Sequence, residues 1–444
     1  MTQERKSSRP QLLQSMIDAF RQTDLRRKML ITLGILVLFR FIAHVPVPSL
    51  DSSKMSDFLT GQSGAGALFG MLDMFSGGAM SDLSVVAMGV YPYITATIIM
   101  QLMVPVIPKL RELSSEGDSG RAKINIYTHW LTVPLAMLQG YSQLTLLQKS
   151  EIISGIGLTG ENALPTISMI LAMTAGTMFL VWLGELITEY GIGNGVSLII
   201  FAGIVAGLPT YIGQGALVNN AFGLVLFAIL SLVILITIIV FTEAQRRVPV
   251  QYARSLYRGG RVYRQSGGTH IPIRVNSGGM IPIIFAMSFM LMPGIIAGFF
   301  VSSDLSNPNF ANSVVDLFSS TGWFYWIMYF FLVVALTFFY TTVIFQQQNL
   351  AETLQRQGAF IPGIRPGKTT HQYLSRLSNR ITWGGALFLG LVTISPFIIQ
   401  KITGIQGNLQ LPAIGMIIVV GVALDTMRQL EAQLLMRKYE GFLK

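Results

Sequence analysis

The chain has no cysteine, only four histidines and few charges: Asp, Glu, Lys and Arg make up 12% of its 444 residues. Without thiols there are no disulfides and no thiolate metal sites. The histidines (His44, His129, His270 and His371) are scattered, without metal-ligand spacing. The phosphate-binding pattern G-x-x-x-x-G-K-[ST] is absent, so this chain does not itself hydrolyse ATP. No constellation of nucleophile, base and acid points to catalysis. Charge is scarcest within the long apolar stretches, where only Arg40 falls well inside one. A proton or ion relay across a bilayer needs intramembrane carboxylates or histidines. The composition therefore points towards a passive conduit powered from outside.

Apolar residues, by contrast, make up 51% of the chain, and the mean hydropathy is +0.56, outside the range of soluble domains. Uncharged runs cover 83–108, 124–148, 162–184, 275–303, 317–351, 381–400 and 402–424. Each can cross a ~30 Å hydrocarbon core as a helix of about 20 residues. The run 190–242 is long enough for two spans hinged near 207–215, and 29–45 completes ten. Of the 31 Lys and Arg, all but four crowd into the amino-terminal arm, the loops near 109–123, 243–274 and 352–380, and the carboxyl tail. Lys54, Lys149 and Lys401 lie in the opposite loops. The positive-inside rule then places both termini and the basic loops in the cytoplasm. The net charge of +10 is accounted for by these loops and does not require a nucleic-acid partner. The first apolar run is too long for a signal-peptide core and ends without a small-x-small site, so it is expected to remain as a signal-anchor span.

The expected organisation is an arm at 1–28, a first five-helix half at 29–207, a second at 208–428 and a tail at 429–444. The second half carries large basic loops at about 243–276 and 346–380. Two halves with odd numbers of spans are inverted relative to each other, a plan shared with secondary transporters. That alternative class predicts ionisable groups at mid-membrane, where the chain offers little beyond Arg40, Asp73 and Asp425. The region around the second span is irregular. Residues 64–75 form an apolar half-helix, Ser76-Gly77-Gly78 breaks it, and a full span is expected from about Leu83. A dozen residues cannot cross a bilayer, and broken backbone at membrane depth must be buried in protein or line a cavity. Two readings fit: a re-entrant or interfacial packing element, or a weakly packed, movable plug or filter. Gly191-Ile192-Gly193-Asn194-Gly195 superficially suggests a phosphate loop, but between two spans it reads as a tight interhelical turn.

The string Met74-Phe75-Ser76-Gly77-Gly78-Ala79-Met80-Ser81, followed by Gly89-Val90-Tyr91-Pro92-Tyr93-Ile94, resembles the plug and second helix of the bacterial SecY family. Members of that family are the channel subunits of the general protein-secretion translocase. Further matching strings follow in family order: Glu189-Tyr190-Gly191-Ile192-Gly193-Asn194-Gly195, Arg246-Arg247-Val248-Pro249-Val250-Gln251-Tyr252-Ala253 and Thr269-His270-Ile271-Pro272-Ile273-Arg274-Val275-Asn276. Gly279-Met280-Ile281-Pro282 and Pro362-Gly363-Ile364-Arg365-Pro366-Gly367 complete the series. The departures are small: Val90 stands where the family often has Ile, and Lys368 where an acidic residue is common.

The resemblance implies an all-α integral membrane protein of ten helices in two inverted halves with a re-entrant plug. Its implied function is to pass unfolded secretory polypeptides across the plasma membrane and release apolar segments sideways into lipid. A conduit that accepts any side chain needs a flexible aliphatic collar that dewets when closed. The family places that collar at positions matching Val90, Ile94, Ile200, Ile204, Ile284 and Ile418. The plug maps onto Leu68, Phe69, Met71, Leu72, Met74 and Phe75. Thr95, Gln101 and Asn276 are candidates for polar groups bridging a lateral gate, with bonds of about 0.6–2 kcal/mol, although Gln101 fits equally well as a residue satisfied inside its own bundle. Arg246, Arg247, Arg254, Arg258 and Arg365 are candidates for docking a motor or ribosome, because arginine suits both carboxylate and phosphate. Arg365 is held in a Pro-Gly turn, whereas topology alone explains many of the others. Arg40 matches an arginine of the family's first helix and reads as snorkelling to the outer interface. The implied partners are SecE-type and SecG-type small membrane subunits, the SecA ATPase, the ribosome, signal-peptide-bearing polypeptides and the lipid bilayer. No cofactor or metal is implied.

Overall fold

The computed structural model describes residues 20–442 apart from 21, 48–54, 56–69, 71–72, 74–75, 150–151, 154, 158, 217–220, 253–254, 259–260, 265–268, 280, 299, 301–308, 319–321, 349 and 404–410. Ten helices match the ten apolar stretches: α1 Thr23–Ala43, α2 Tyr91–Val106, α4 Asp118–Lys149, α5 Ala163–Tyr190, α6 Gly195–Ala216, α7 Ala221–Glu243, α8 Ile281–Gly298, α10 Trp323–Gln348, α12 Lys368–Thr403 and α13 Leu411–Phe442. Short helices α3 Pro108–Ser115, α9 Phe310–Leu317 and α11 Leu350–Arg356 lie between them. Among the described residues, three helices are long and apolar enough to span a membrane unaided: Gly160–Tyr190, Val225–Glu243 and Trp323–Arg356. A fourth candidate is the pair α2–α3, bent by 102° where Pro108 opens α3.

The helices gather into two compact units. The first comprises Met1–Asn219, Leu291–Gly322 and Gln406–Lys444. In it α5 packs on α4 and α6, α2 on α4, and α13 on α6. The turn from α5 into α6 is tight because glycine meets glycine: a Cβ on Gly195 would lie 1.8 Å from the Gly184 carbonyl oxygen. Val47, Met80, Leu83, Met88, Leu144 and Met173 lead its main buried cluster.

The second unit comprises Asn220–Met290 and Trp323–Ile405. Aromatic packing dominates where α10 meets α12. Tyr325, Trp326 and Tyr329 are fully buried, and the Tyr329 hydroxyl donates to the Ile283 carbonyl at 3.4 Å. Helix α7 adds Phe241, stacked at 4.1 Å on Phe388 of α12. Its opposite side bares Val225, Ile229, Leu232, Val233, Ile236 and Val240 at helical spacing. Only 6% of the Val225–Glu243 window is buried, and a stripe this apolar and this bare belongs in hydrocarbon.

The basic loops are more ordered than a run of arginines suggests. Strands β1 Gln245–Tyr252 and β4 Thr269–Arg274 pair antiparallel, with Gln245 opposite Arg274 and Val250 opposite Thr269. Strand β5 Ala359–Phe360, from the second basic loop, pairs with the far end of β1. The resulting sheet has the order β4-β1-β5, and β2 Ser255–Arg258 and β3 Arg261–Arg264 form a separate hairpin. Val248 and Val250 alternate inward along β1 to pack with Ile273, Leu354, Ile361 and Leu374 in a small core. The two loops are therefore one body.

Candidate functional site: a collar, a tied turn and a basic sheet

Five of the collar candidates belong to the first unit. Val90 immediately precedes α2, Ile94 lies one turn in, Ile200 and Ile204 share a face of α6, and Ile418 sits on α13. All five are buried, and Ile284 on α8 in the second unit is half-buried.

The chain before α2 departs from the full span expected to begin at about Leu83. Residues 77–90 form turns, and the helix begins only at Tyr91. The cause lies in bonds to the end of α1. Val47 N–H donates to the Leu83 carbonyl at 2.9 Å and Val85 N–H to the Val45 carbonyl at 3.0 Å, framing an antiparallel bridge between Pro46 and Ser84. The Ser84 hydroxyl also reaches the Ile42 carbonyl at 3.0 Å. Leu83 holds a left-handed φ of 47°, rare for a side-chain-bearing residue and incompatible with continuing a helix. The Ser76-Gly77-Gly78 break is real, and its geometry requires glycine. Gly77 has φ +72°, and a Cβ there would fall 2.6 Å from Cα of Gly203, the residue before Ile204. The turn thus sits backbone to backbone on α6, beside the collar candidate Ile204. The plug candidates Leu68, Phe69, Met71, Leu72, Met74 and Phe75 lie outside the described residues.

Arg40 does not simply snorkel. Its guanidinium donates to the Gly77 carbonyl, so the one arginine deep in an apolar stretch ties α1 to this turn. Around it, the Asp73 carboxylate accepts from Ser81 N–H at 2.8 Å, and His44 Nδ1 lies 2.6 Å from Asp82 Oδ2. Partners 37 and 38 residues apart leave no local pattern to read. A second polar group also escaped the count of charges. Glu185, in α5, accepts from Asn125 Nδ2 at 3.0 Å and pairs with His129 Nε2 at 3.1 Å, and Tyr93 reaches Asn125 at 3.4 Å. The spans are less dry than the uncharged runs imply.

Of the gate candidates, Thr95 is buried and donates to the Tyr91 carbonyl of its own helix at 3.1 Å, and Gln101 is half-buried on the same helix. Asn276 is buried with Oδ1 lacking a hydrogen-bond partner among the described residues. Arg246 and Arg247 stand exposed on β1, and Arg365 is exposed in a turn flanked by Gly363 and Gly367, both of positive φ. The Arg365 carbonyl accepts from Thr370 Oγ1 at 2.9 Å, which pins the turn to the start of α12. Arg258 ends β2 opposite Arg261, and Arg254 lies outside the described residues. No group of three or more His, Asp or Glu suited to a metal ion occurs among the described residues.

The profile of the SecY family matches residues 84–427. The protein translocase subunit SecY of Streptomyces lividans is 41% identical over 98% of this chain and 100% of its own length. That of Corynebacterium glutamicum is 40% identical over 97% and 100%. A solved structure of a protein-conducting channel aligns over 92% of each chain with a TM-score of 0.62 at 16% identity. A SecY channel whose plug domain stabilises the closed state and maintains a membrane seal aligns over 92% of each chain at 0.60 and 16%. Sec61 from the canine ribosome-channel complex also covers 92% of each, at 0.59 and 14%. At such low identity these structures establish the shared fold, and the profile and close relatives establish kinship: the chain belongs to the SecY family.

Proposed function

We propose that the chain is the pore subunit of a plasma-membrane protein-secretion channel, with both termini and the basic sheet in the cytoplasm. Unfolded polypeptides pass through the aliphatic collar, and apolar segments leave sideways into lipid. The observation that carries this reading is the glycine contact of Gly77 on Gly203, next to buried Ile204, which supports residues 64–80 acting as a plug seated at collar height. Aliphatic side chains there seal by dewetting when idle and deform around a passenger without binding it. The orphan carboxamide oxygen of Asn276 supports the gate reading, since such a group gains from a partner that comes and goes. The welded, arginine-studded sheet offers a rigid surface for an ATPase motor of the SecA type or for the ribosome. The canine relative's ribosome complex supports the latter, and small SecE-type and SecG-type subunits complete the assembly.

The absence of cysteine makes the test clean. One cysteine is placed at Ile204, 1% exposed, and separately one at Leu232, 58% exposed on the lipid-facing stripe of α7. With partner subunits present, a secretory chain carrying one cysteine is stalled in transit. Disulfide formation at Ile204 alone is expected. Equal or absent cross-linking at both positions would refute the collar register.

A further inference from the structure

Near the carboxyl end of α5 stands a carboxylate whose partners lie on another helix of the first unit. Glu185 Oε1 accepts from Asn125 Nδ2 of α4 at 3.0 Å, and Asn125 Oδ1 accepts in turn from the Tyr93 hydroxyl of α2 at 3.4 Å. His129, one turn along α4 from Asn125, brings Nε2 within 3.1 Å of the same carboxylate oxygen, without the alignment of a hydrogen bond. Its ring is tilted by 47° against that of Tyr93, with centroids 5.7 Å apart. Three helices thus share one polar bridge. It runs along an edge of the bundle, with Asn125 exposed and Tyr93 and Glu185 half-buried. The neighbouring Ile126, Trp130 and Trp182 are 52%, 75% and 52% exposed, and an edge this apolar belongs in lipid. Few waters compete for hydrogen bonds in that setting, and an ionisable group kept there points to a role.

The order of the bridge follows from chemistry. An ionised carboxylate can only accept hydrogen bonds. Glu185 therefore draws the Asn125 amino group towards itself, which leaves Oδ1 turned to α2 as the acceptor for Tyr93. Tyr93 lies in the first turn of α2, the turn that Val90 precedes and that contains Ile94. Burial of Tyr91 and Ile94 keeps this turn in the bundle, but burial is non-directional and sets no rotation. Val90 at the N-cap supplies no side-chain cap, and Pro92 has no N–H to offer. The main-chain bonds to 45–47 are made by residues 83 and 85, at least five residues before Val90.

We propose that Glu185 is a positioning residue for the collar: through Asn125 it holds Tyr93, and so sets the rotation of the first turn of α2 that presents Val90 and Ile94. The inference rests on the collar reading above and extends it to a residue on α5 that itself touches no passenger. Ile94 follows Tyr93 by about 100° around the helix, so the contact that Tyr93 makes with α4 decides where its neighbour points. Burial tolerates several rotations of α2, and the directional bonds of the bridge select one of them. No proton is transferred in this role. The carboxylate acts as an acceptor of fixed position, and a neutral side chain of the same shape can accept the same bond.

The test again uses single cysteines, since the chain has none of its own. One is placed at Ile94 and, in a separate channel, one at Ile204 on α6, a helix that takes no part in the bridge. With the partner subunits present, disulfide formation with one cysteine on a stalled secretory chain is measured at each position. The readout is the ratio of Ile94 to Ile204 cross-linking, because misfolding lowers both and a rotation of α2 changes only the first. Glu185→Leu is expected to lower the ratio about threefold, as Asn125 loses the acceptor that orients it. Tyr93→Phe removes a single hydroxyl and should lower it by a similar factor. The two together should go no further, because they break the same bridge. Glu185→Gln keeps an acceptor for Asn125 Nδ2 and should retain the parental ratio. An unchanged ratio in Glu185→Leu or Tyr93→Phe, multiplied losses in the double variant, or a Glu185→Gln channel as impaired as Glu185→Leu would overturn the inference. Should Glu185→Leu fail to assemble, Tyr93→Phe and Asn125→Leu carry the same comparison. The unaltered background separates the two levels. Cross-linking at Ile204 but not at Ile94 there refutes the place of Ile94 in the collar, and the inference with it. Cross-linking at both, with silent variants, refutes the positioning role alone.

Discussion

The basic sheet and the turn at 76–90 both join helices, and they are built in opposite ways. The sheet has a core of its own: Val248, Val250 and Leu374 are 2%, 1% and 0% exposed, and arginines stand on its outside. Burial of that kind is non-directional and is lost only by unfolding. The turn is buried as well, with Met80, Leu83 and Met88 0%, 3% and 2% exposed, but its path is set by directional bonds, by left-handed backbone at Gly77, Gly78 and Leu83, and by a glycine-to-glycine contact with α6. Bonds of that kind are made and broken singly, at about 1 kcal/mol each. Under the function proposed above, a motor would dock on a surface that must bear load, and a plug would need contacts that can be made and broken one at a time.

The strongest way to break the comparison is to attack the rigid side. Leu374→Asp puts an unpaired carboxylate among Val248, Val250, Ile273 and Ile361, a destabilisation of more than ~4 kcal/mol for the sheet body. Protease cleavage within the basic loops should rise sharply and motor-driven transport should fail, while idle conductance stays unchanged. Attacking the releasable side should give the reverse. Gly77→Val drives a side chain into Gly203 from a left-handed backbone, at a cost of about 1–3 kcal/mol in strain. The idle leak should rise about tenfold for that loss of held population, with the protease pattern of the loops unchanged. Either variant producing both defects would show that the regions are not independent.

What the sequence displayed and what it hid divide along the same line. The ten helices were legible because hydropathy is summed over some twenty residues and tolerates local error. The break at Ser76-Gly77-Gly78 was legible because two adjacent glycines interrupt an apolar run. The start of α2 was not. Leu83 and Val85 belong to an uncharged run that reads as helix, and only their bonds to Val47 and Val45 prevent it. The tie made by Arg40 was hidden for the same reason, since its acceptor at Gly77 is 37 residues away. The sheet was hidden as well: Pro249 separates Val248 from Val250 and Pro272 separates Ile271 from Ile273, and a proline within an apolar run argues against a strand. The uncharged run 162–184 stops just short of Glu185, although α5 runs on to Tyr190.

The smallest expected effect sharpens the role of the rigid side. Arg365→Glu changes an exposed side chain in a turn pinned by the Thr370 bond, so stability should stay within about 0.5 kcal/mol of the parent. If the partner reads the guanidinium in that fixed position, affinity for the motor or ribosome should fall about tenfold. Arg380→Glu is the control, because it removes the same charge from an exposed face of α12 without the turn. A loss at Arg365 alone, measured as binding of the partner to the reconstituted channel, means that the sheet presents its arginines in register. Equal losses at both positions mean that the partner senses only the summed positive field, which weakens with salt within a Debye length of about 8 Å. In that case the rigidity of the sheet serves to bear load and not to recognise.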